Sequence, residues 1–207
     1  RRQRQMCIRD RPSLPLGFVQ IDRKIDLERA GKNSLGTLLL KLKEEDPSFV
    51  MPLLGKTPKF MVVLDCPSAS EAKVGKLTES KAFTSIARAL YRADLNKADG
   101  YWTSLVKRPK RAKEKLFDNA TLEGGFKILK QEIEILKPPA IICLGSNTNR
   151  MFVPDLKGSA TDNAGQVHYS SELDCNIILG FSPGMLFHNK ELEEPLNELF
   201  ETLASLV

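Results

Sequence analysis

Residues 60–71 read Phe-Met-Val-Val-Leu-Asp-Cys-Pro-Ser-Ala-Ser-Glu. Five apolar residues run directly into an acid, then into Cys66-Pro67 and a small, polar loop. A continuous apolar run of this length predicts a strand covered on both faces, as in a parallel sheet flanked by helices. The strand, taken as residues 59–64, delivers Asp65 to the carboxyl end of such a sheet, where ligands of open α/β folds bind.

Working outward, apolar runs alternate with helical periodicity. Residues 79–93 carry Phe83, Ile86, Ala87 and Leu90 at helical spacing. Residues 100–107 predict a second strand, with Tyr101 and Trp102 as core. A helix from the N-cap Thr121 to Lys137 turns Phe126, Leu129, Ile133 and Leu136 inward. Residues 139–145 predict a short buried strand and residues 146–152 open another helix. A hairpin follows with its second strand at 175–181, and an amphipathic helix over 190–206 closes the chain. Upstream, Ser34 to Glu45 predicts a helix ended by Pro47, and residues 51–59 read as a linker. This alternation implies an α/β fold of three αβα layers around a mostly parallel sheet. The positions just past the strands are Asp65, Ser104 to Arg108, Gly145 to Asn147, and Ser182 to Met185.

Charge says little about partners. The chain of 207 residues carries a formal +5. Residues 1–11 supply a net +4 of it, five arginines against Asp10. That tract resembles the translated read-through of a sequencing adapter, is set apart from the fold, and implies a reading frame whose true start lies upstream. No apolar run approaches the ~20 residues of a membrane span. Cys66, Cys143 and Cys175 are spaced too widely for a metal knuckle and read as free thiols of a reducing cytoplasm.

The four strand ends, in order "VVLDCPSASE", "YWTSLVKRP", "ILKPPAIICLGSNT" and "IILGFSPGMLF", resemble the uracil-DNA glycosylase superfamily, most closely its bacterial and archaeal iron–sulfur branch. The similarity covers roughly residues 58–205. It implies three parts: the tract 1–11, an N-terminal extension over 12–57, and a uracil-DNA glycosylase-like domain over 58–207.

The resemblance also implies roles. Asp65 stands at the motif-one acid, which would hold water or stabilise the sugar cation as a base leaves; a loop acid capping a turn or helix is its structural alternative. Cys66 and Pro67 complete that motif on the substrate side. Ser104 occupies the position of a base-reading Asn, and Ser182, followed by Pro183, that of a His that would stabilise the departing base. Each serine is a weaker partner than the residue it replaces. No aromatic stands near Thr78, where the superfamily stacks one on the flipped base, and the cluster cysteines are missing. The expectation is therefore no metal and no cofactor.

Gly145, Ser146 and Asn147 end a strand and open a helix, so their backbone N–H groups could hold a phosphate. Met185, Leu186 and Phe187 form an apolar run suited to holding a base out of the stack, with His188 beside it. Lys107, Arg108, Lys110 and Arg111 lead a basic loop aimed at a phosphate backbone. DNA, single- or double-stranded, is the expected partner, with a polymerase on the same chain or in complex as a second. Two readings stay open: a divergent, metal-free glycosylase excising uracil or a deaminated base, and a non-catalytic DNA-binding accessory domain of a viral or bacterial replicative polymerase or of a repair protein. A small-molecule binder is a third, opposed by the absence of a Gly-rich phosphate loop.

Overall fold

A computed structural model describes residues 18–20, 35–55, 58–77 and 80–207. The tract 1–11 and Thr78 lie outside the described residues.

Seven strands make one sheet: β1 (Phe18–Gln20), β2 (Leu53–Gly55), β3 (Phe60–Leu64), β4 (Gly100–Ser104), β5 (Ala140–Leu144), β6 (Val167–Ser170) and β7 (Cys175–Gly180). Their order is β1-β2-β4-β3-β5-β7-β6. The four central strands, β4-β3-β5-β7, are parallel, while β1, β2 and β6 pair antiparallel at the edges.

Side-chain alternation along the central strands builds two cores. Phe60, Val62, Trp102, Ile142 and Ile178 face one side, against α3 (Lys81–Arg92) and α6 (Glu193–Ala204). Met61, Val63, Tyr101, Ile141, Ile177 and Leu179 face the other, against α1 (Leu35–Glu45) and α4 (Asn119–Leu136). Met151 and Phe152 of α5 (Ser146–Phe152) pack on that second side. Burial on both faces explains why these strands read as unbroken apolar runs. Trp102 is a core residue as expected, meeting Phe60 and Phe83 edge-on and donating from Nε1 to the Lys97 carbonyl at 3.0 Å.

Four sequence expectations are revised. Residues 51–59 are no mere linker: β2 lies within them, pairing β4 with Leu53 opposite Trp102, and Leu53 is buried. The segment is too short for a period-2 pattern to declare itself. β4 stops at Ser104, three residues early, where the chain bends. The N-cap of α4 is Asp118, whose carboxylate accepts from the Thr121 N–H at 2.7 Å; the acid one turn upstream takes the role assigned to Thr121. The polar loop after Pro67 holds a short helix, α2 (Ala69–Val74). Ser68 and Glu71 close it with a reciprocal capping box, and Gly75 ends it in the left-handed region at φ 75°. Among the described residues no helix is long and apolar enough to cross a membrane.

Candidate functional site

The chain leaves β3 toward β4 on one side and later returns to β5 on the other, so the strand order reverses between β3 and β5. A crevice opens at such a point beyond the strand ends. Asp65 directly follows β3 and Gly145 directly follows β5, and the two meet there. Asp65 Oδ1 accepts from the Thr148 N–H at 2.8 Å and from the Thr148 hydroxyl at 2.7 Å. Oδ2 accepts from the side-chain amide of Asn147 at 3.2 Å and, at 3.4 Å, from its backbone N–H. Gly145 heads α5 without a side-chain cap of its own. The neighbouring strand supplies the cap, a carboxylate at the positive end of the helix. A side chain at Gly145 would collide with the Asp65 carboxyl group. The turn 145–147 thus holds a resident carboxylate in place of an open phosphate cradle. Gly145 is enclosed, Asn147 is half-buried and engaged with Asp65, and Ser146 is exposed.

Beside this pair lies a cavity of about 610 Å³. Its walls come from the β3 end (Leu64, Cys66, Pro67), from α2 (Ser68, Ser70, Glu71), from the start of α3 (Ser80, Lys81, Phe83) and from the turn after β7 (Ser182, Pro183, Gly184, Phe187). Cys66, Pro67, Ser182 and Pro183 are therefore brought together, but Asp65 and Ser104 are not in the wall. Ser104 pairs with Leu64 in the β3–β4 register, yet its side chain is fully enclosed and its hydroxyl has no hydrogen-bond partner. Cys66 is half-buried; desolvation, reinforced by the Asp65 charge, pushes its thiol up to about 11. Glu71 is buried, and its Oε2 accepts from the Ser68 N–H and hydroxyl. A larger groove of about 810 Å³ runs between α3 and α6, away from the strand ends, with Tyr91, Arg88 and Glu193 in its walls.

The turn Pro183–Phe187 is 3-10 helical. It corrects the wedge: Leu186 is only 9% exposed and packs into the first core, while Met185 and Phe187 are 39% and 59% exposed. A 3-10 turn spreads its side chains at about 120°, so the middle residue of the three points inward. His188 is exposed beyond it.

The basic loop divides likewise. Lys107 is corrected from a DNA contact to a core residue: it is buried, and its Nζ donates to Glu132 Oε2 at 2.8 Å, to the Ser104 carbonyl at 2.7 Å and to the Thr103 hydroxyl. Burial lowers the Lys107 pKa and raises that of Glu132, each opposed by the other's charge. Arg108 forms a bidentate pair with Glu114, at 2.7 and 2.9 Å, and stands over the Phe117 ring. The Glu114 carboxyl is held down to about 2, first by the Arg108 hydrogen bond and then by the Arg111 N–H. Lys110, Arg111, Lys113 and Lys115 remain on the surface.

Comparison with known proteins bears on the fold that carries these residues. The model of the uracil DNA glycosylase superfamily matches residues 51–204. The chain belongs to the uracil DNA glycosylase superfamily. That match begins at Met51 and so takes in β2. The chain is also 24% identical to DNA polymerase III subunit alpha from Yersinia pestis, over 198 residues that make up 94% of this chain and 17% of that protein. It thus spans about a sixth of the length of that curated relative.

Cys143 and Cys175 are enclosed in β5 and β7, Cys66 stands alone in the cavity wall, and no three His, Cys, Asp or Glu converge among the described residues.

The sequence reading missed Thr148, Glu71, Ser80 and Lys81. The Ser68-to-Glu71 spacing of a capping box was the available signal for Glu71, and Ser80, which accepts from the Phe83 N–H, was the matching signal for the start of α3. Nothing local marks Thr148 as the partner of an acid 83 positions away.

Proposed function

We propose that this superfamily domain binds DNA as a non-catalytic accessory module of a replicative DNA polymerase, in the cytoplasm. The observation that carries this reading is the engagement of both Asp65 oxygens by α5. Cleaving an N-glycosidic bond builds positive charge on the sugar and negative charge on the departing base. The acid that would meet the first is tied to a helix and absent from the cavity wall. The group that would meet the second is the neutral hydroxyl of Ser182. Glu71, the carboxylate among the described wall residues, is held by its capping box. Binding requires less: a cavity large enough to admit a base, and exposed cations, Lys110, Arg111, Lys113 and Lys115, past the end of β4. Likeness to part of a polymerase subunit supports the accessory role.

The test is retention of labelled oligonucleotides, with and without uracil or hypoxanthine, followed by alkaline cleavage at any abasic site. Salt-sensitive retention without cleavage is expected. Base release that vanishes in Asp65→Ala would return the domain to the glycosylases.

A further inference from the structure

We infer that two copies of this chain associate through the groove between α3 and α6, with a two-fold axis that sets α3 of each copy against α6 of the other. The inference stands apart from the DNA-binding reading, since the groove shares no residue with the cavity at the strand ends or with the basic loop.

The two helices carry opposite charge. α3 holds Lys81, Arg88 and Arg92 and no acid, whereas α6 holds Glu193, Glu194, Glu198 and Glu201 and no cation. Within the groove, Arg88 and Arg92 stand on the α3 side, and Glu191, Glu193 and Glu194 stand with Lys190 on the other. The two sides thus carry formal charges of +2 and −2. A single chain uses only part of this complementarity. Arg92 Nη1 donates to Glu194 Oε2 at 3.0 Å. Arg88, Glu191 and Glu193 are exposed and form no ion pair among the described residues.

This pattern selects the occupant. A phosphate backbone laid in the groove would meet the acidic side and be repelled, and a purely acidic or purely basic segment would match one side alone. A two-fold axis running along the groove lays the basic side of each copy over the acidic side of the other, so every attraction is made twice. A second copy carries the matching pattern by construction.

Tyr91 supplies the apolar anchor. It is 85% exposed on the outer face of α3, while Phe83, Ile86 and Leu90 turn into the core. It lies between the groove of about 810 Å³ and a second of about 420 Å³, and the half-buried Ala87 lines both. A ring left so far in water gains most by entering a partner's surface, and the larger groove has room for one. Tyrosine and arginine are the side chains that most often dominate protein contacts. Here Arg88 and Tyr91 are neighbours one turn apart on the same helix.

The experiment is sedimentation velocity of the full chain over a concentration series through the micromolar range. A reversible rise from the mass of one chain to that of two is expected. Tyr91→Ala, at an exposed position, should weaken dimerisation about tenfold or more. Arg88→Glu by itself, and Glu191→Lys combined with Glu193→Lys, should each leave monomers, because like charges then face one another across the axis. Mixed together, these two variants should form a heterodimer, since each brings the charge that the other lacks. The mass of one chain at every concentration overturns the inference. So does a dimer indifferent to Tyr91→Ala or to both charge reversals, and so does a mixture that stays monomeric.

Discussion

The Asp65 carboxylate caps the helix that begins across the sheet's switch point, with Oδ1 2.8 Å from the Thr148 nitrogen and 2.7 Å from its hydroxyl. An acid just past a strand end here forms a structural bond between β3 and α5. Asp65→Ala removes the acceptor for Thr148 and Asn147 together. A cost of about 2 kcal/mol is expected, from a lost charged cap and stranded donors. Urea unfolding measures it. A change within about 0.5 kcal/mol, usual for an uninvolved surface site, would contradict the capping role.

Gly145→Ala tests the same contact from the other strand. A methyl group at this position would occupy the space of the Asp65 carboxyl. The carboxylate must swing away and release Thr148, so the loss should approach that of Asp65→Ala. In the double variant the two losses should fall well short of adding. Full additivity would mean that the residues act separately.

Lys107 and Glu132 form a buried pair, their side chains 4% and 0% exposed. Removing one partner leaves a charge or a forced neutral group in the core, so Glu132→Ala should cost about 3–5 kcal/mol. Lys107→Met combined with Glu132→Leu should lie closer to the parent than Glu132→Ala alone, because no uncompensated charge remains. Thermal unfolding of the three variants decides it; a double variant worse than the single would show a pair that is net stabilising.

The Glu114 carboxyl titrates at about 2 in the folded chain against an ordinary 4.5. Its contribution to ordering the basic loop is complete above 4.5 and is lost as pH falls toward 2. The Arg111 N–H, which donates to Glu114 at 2.8 Å, reports on it directly. Its amide resonance should shift with a midpoint near 2, and the shift should vanish in Glu114→Gln. A midpoint near 4.5 would contradict the pairing with Arg108.

The central architecture was legible because it rests on local pattern. Runs such as Phe60–Leu64 and Ala140–Leu144 are apolar throughout only where both faces are covered. Periodicity likewise marked α3 and α4. β2 was not legible, since three residues carry no period and its place depends on β4 being next to it. The site was legible in position and less so in role. Asp65, Cys66, Pro67, Ser182 and Pro183 do gather at the carboxyl ends. Which of Met185, Leu186 and Phe187 turns inward is decided by the pitch of a 3-10 turn and by the core beneath it. That Lys107 alone of a basic run points inward depends on Glu132, 25 residues on, arriving opposite it. Such pairings are tertiary facts with no local signature.

The most direct test joins binding and chemistry in one sample: single-stranded oligonucleotides bearing uracil, incubated with the domain, assayed for retention across a salt series and then for strand scission in alkali. Retention that falls steeply with salt, with the oligonucleotide left intact, is the predicted result. Scission at the uracil that disappears in Asp65→Ala would contradict it and make Asp65 a catalytic acid.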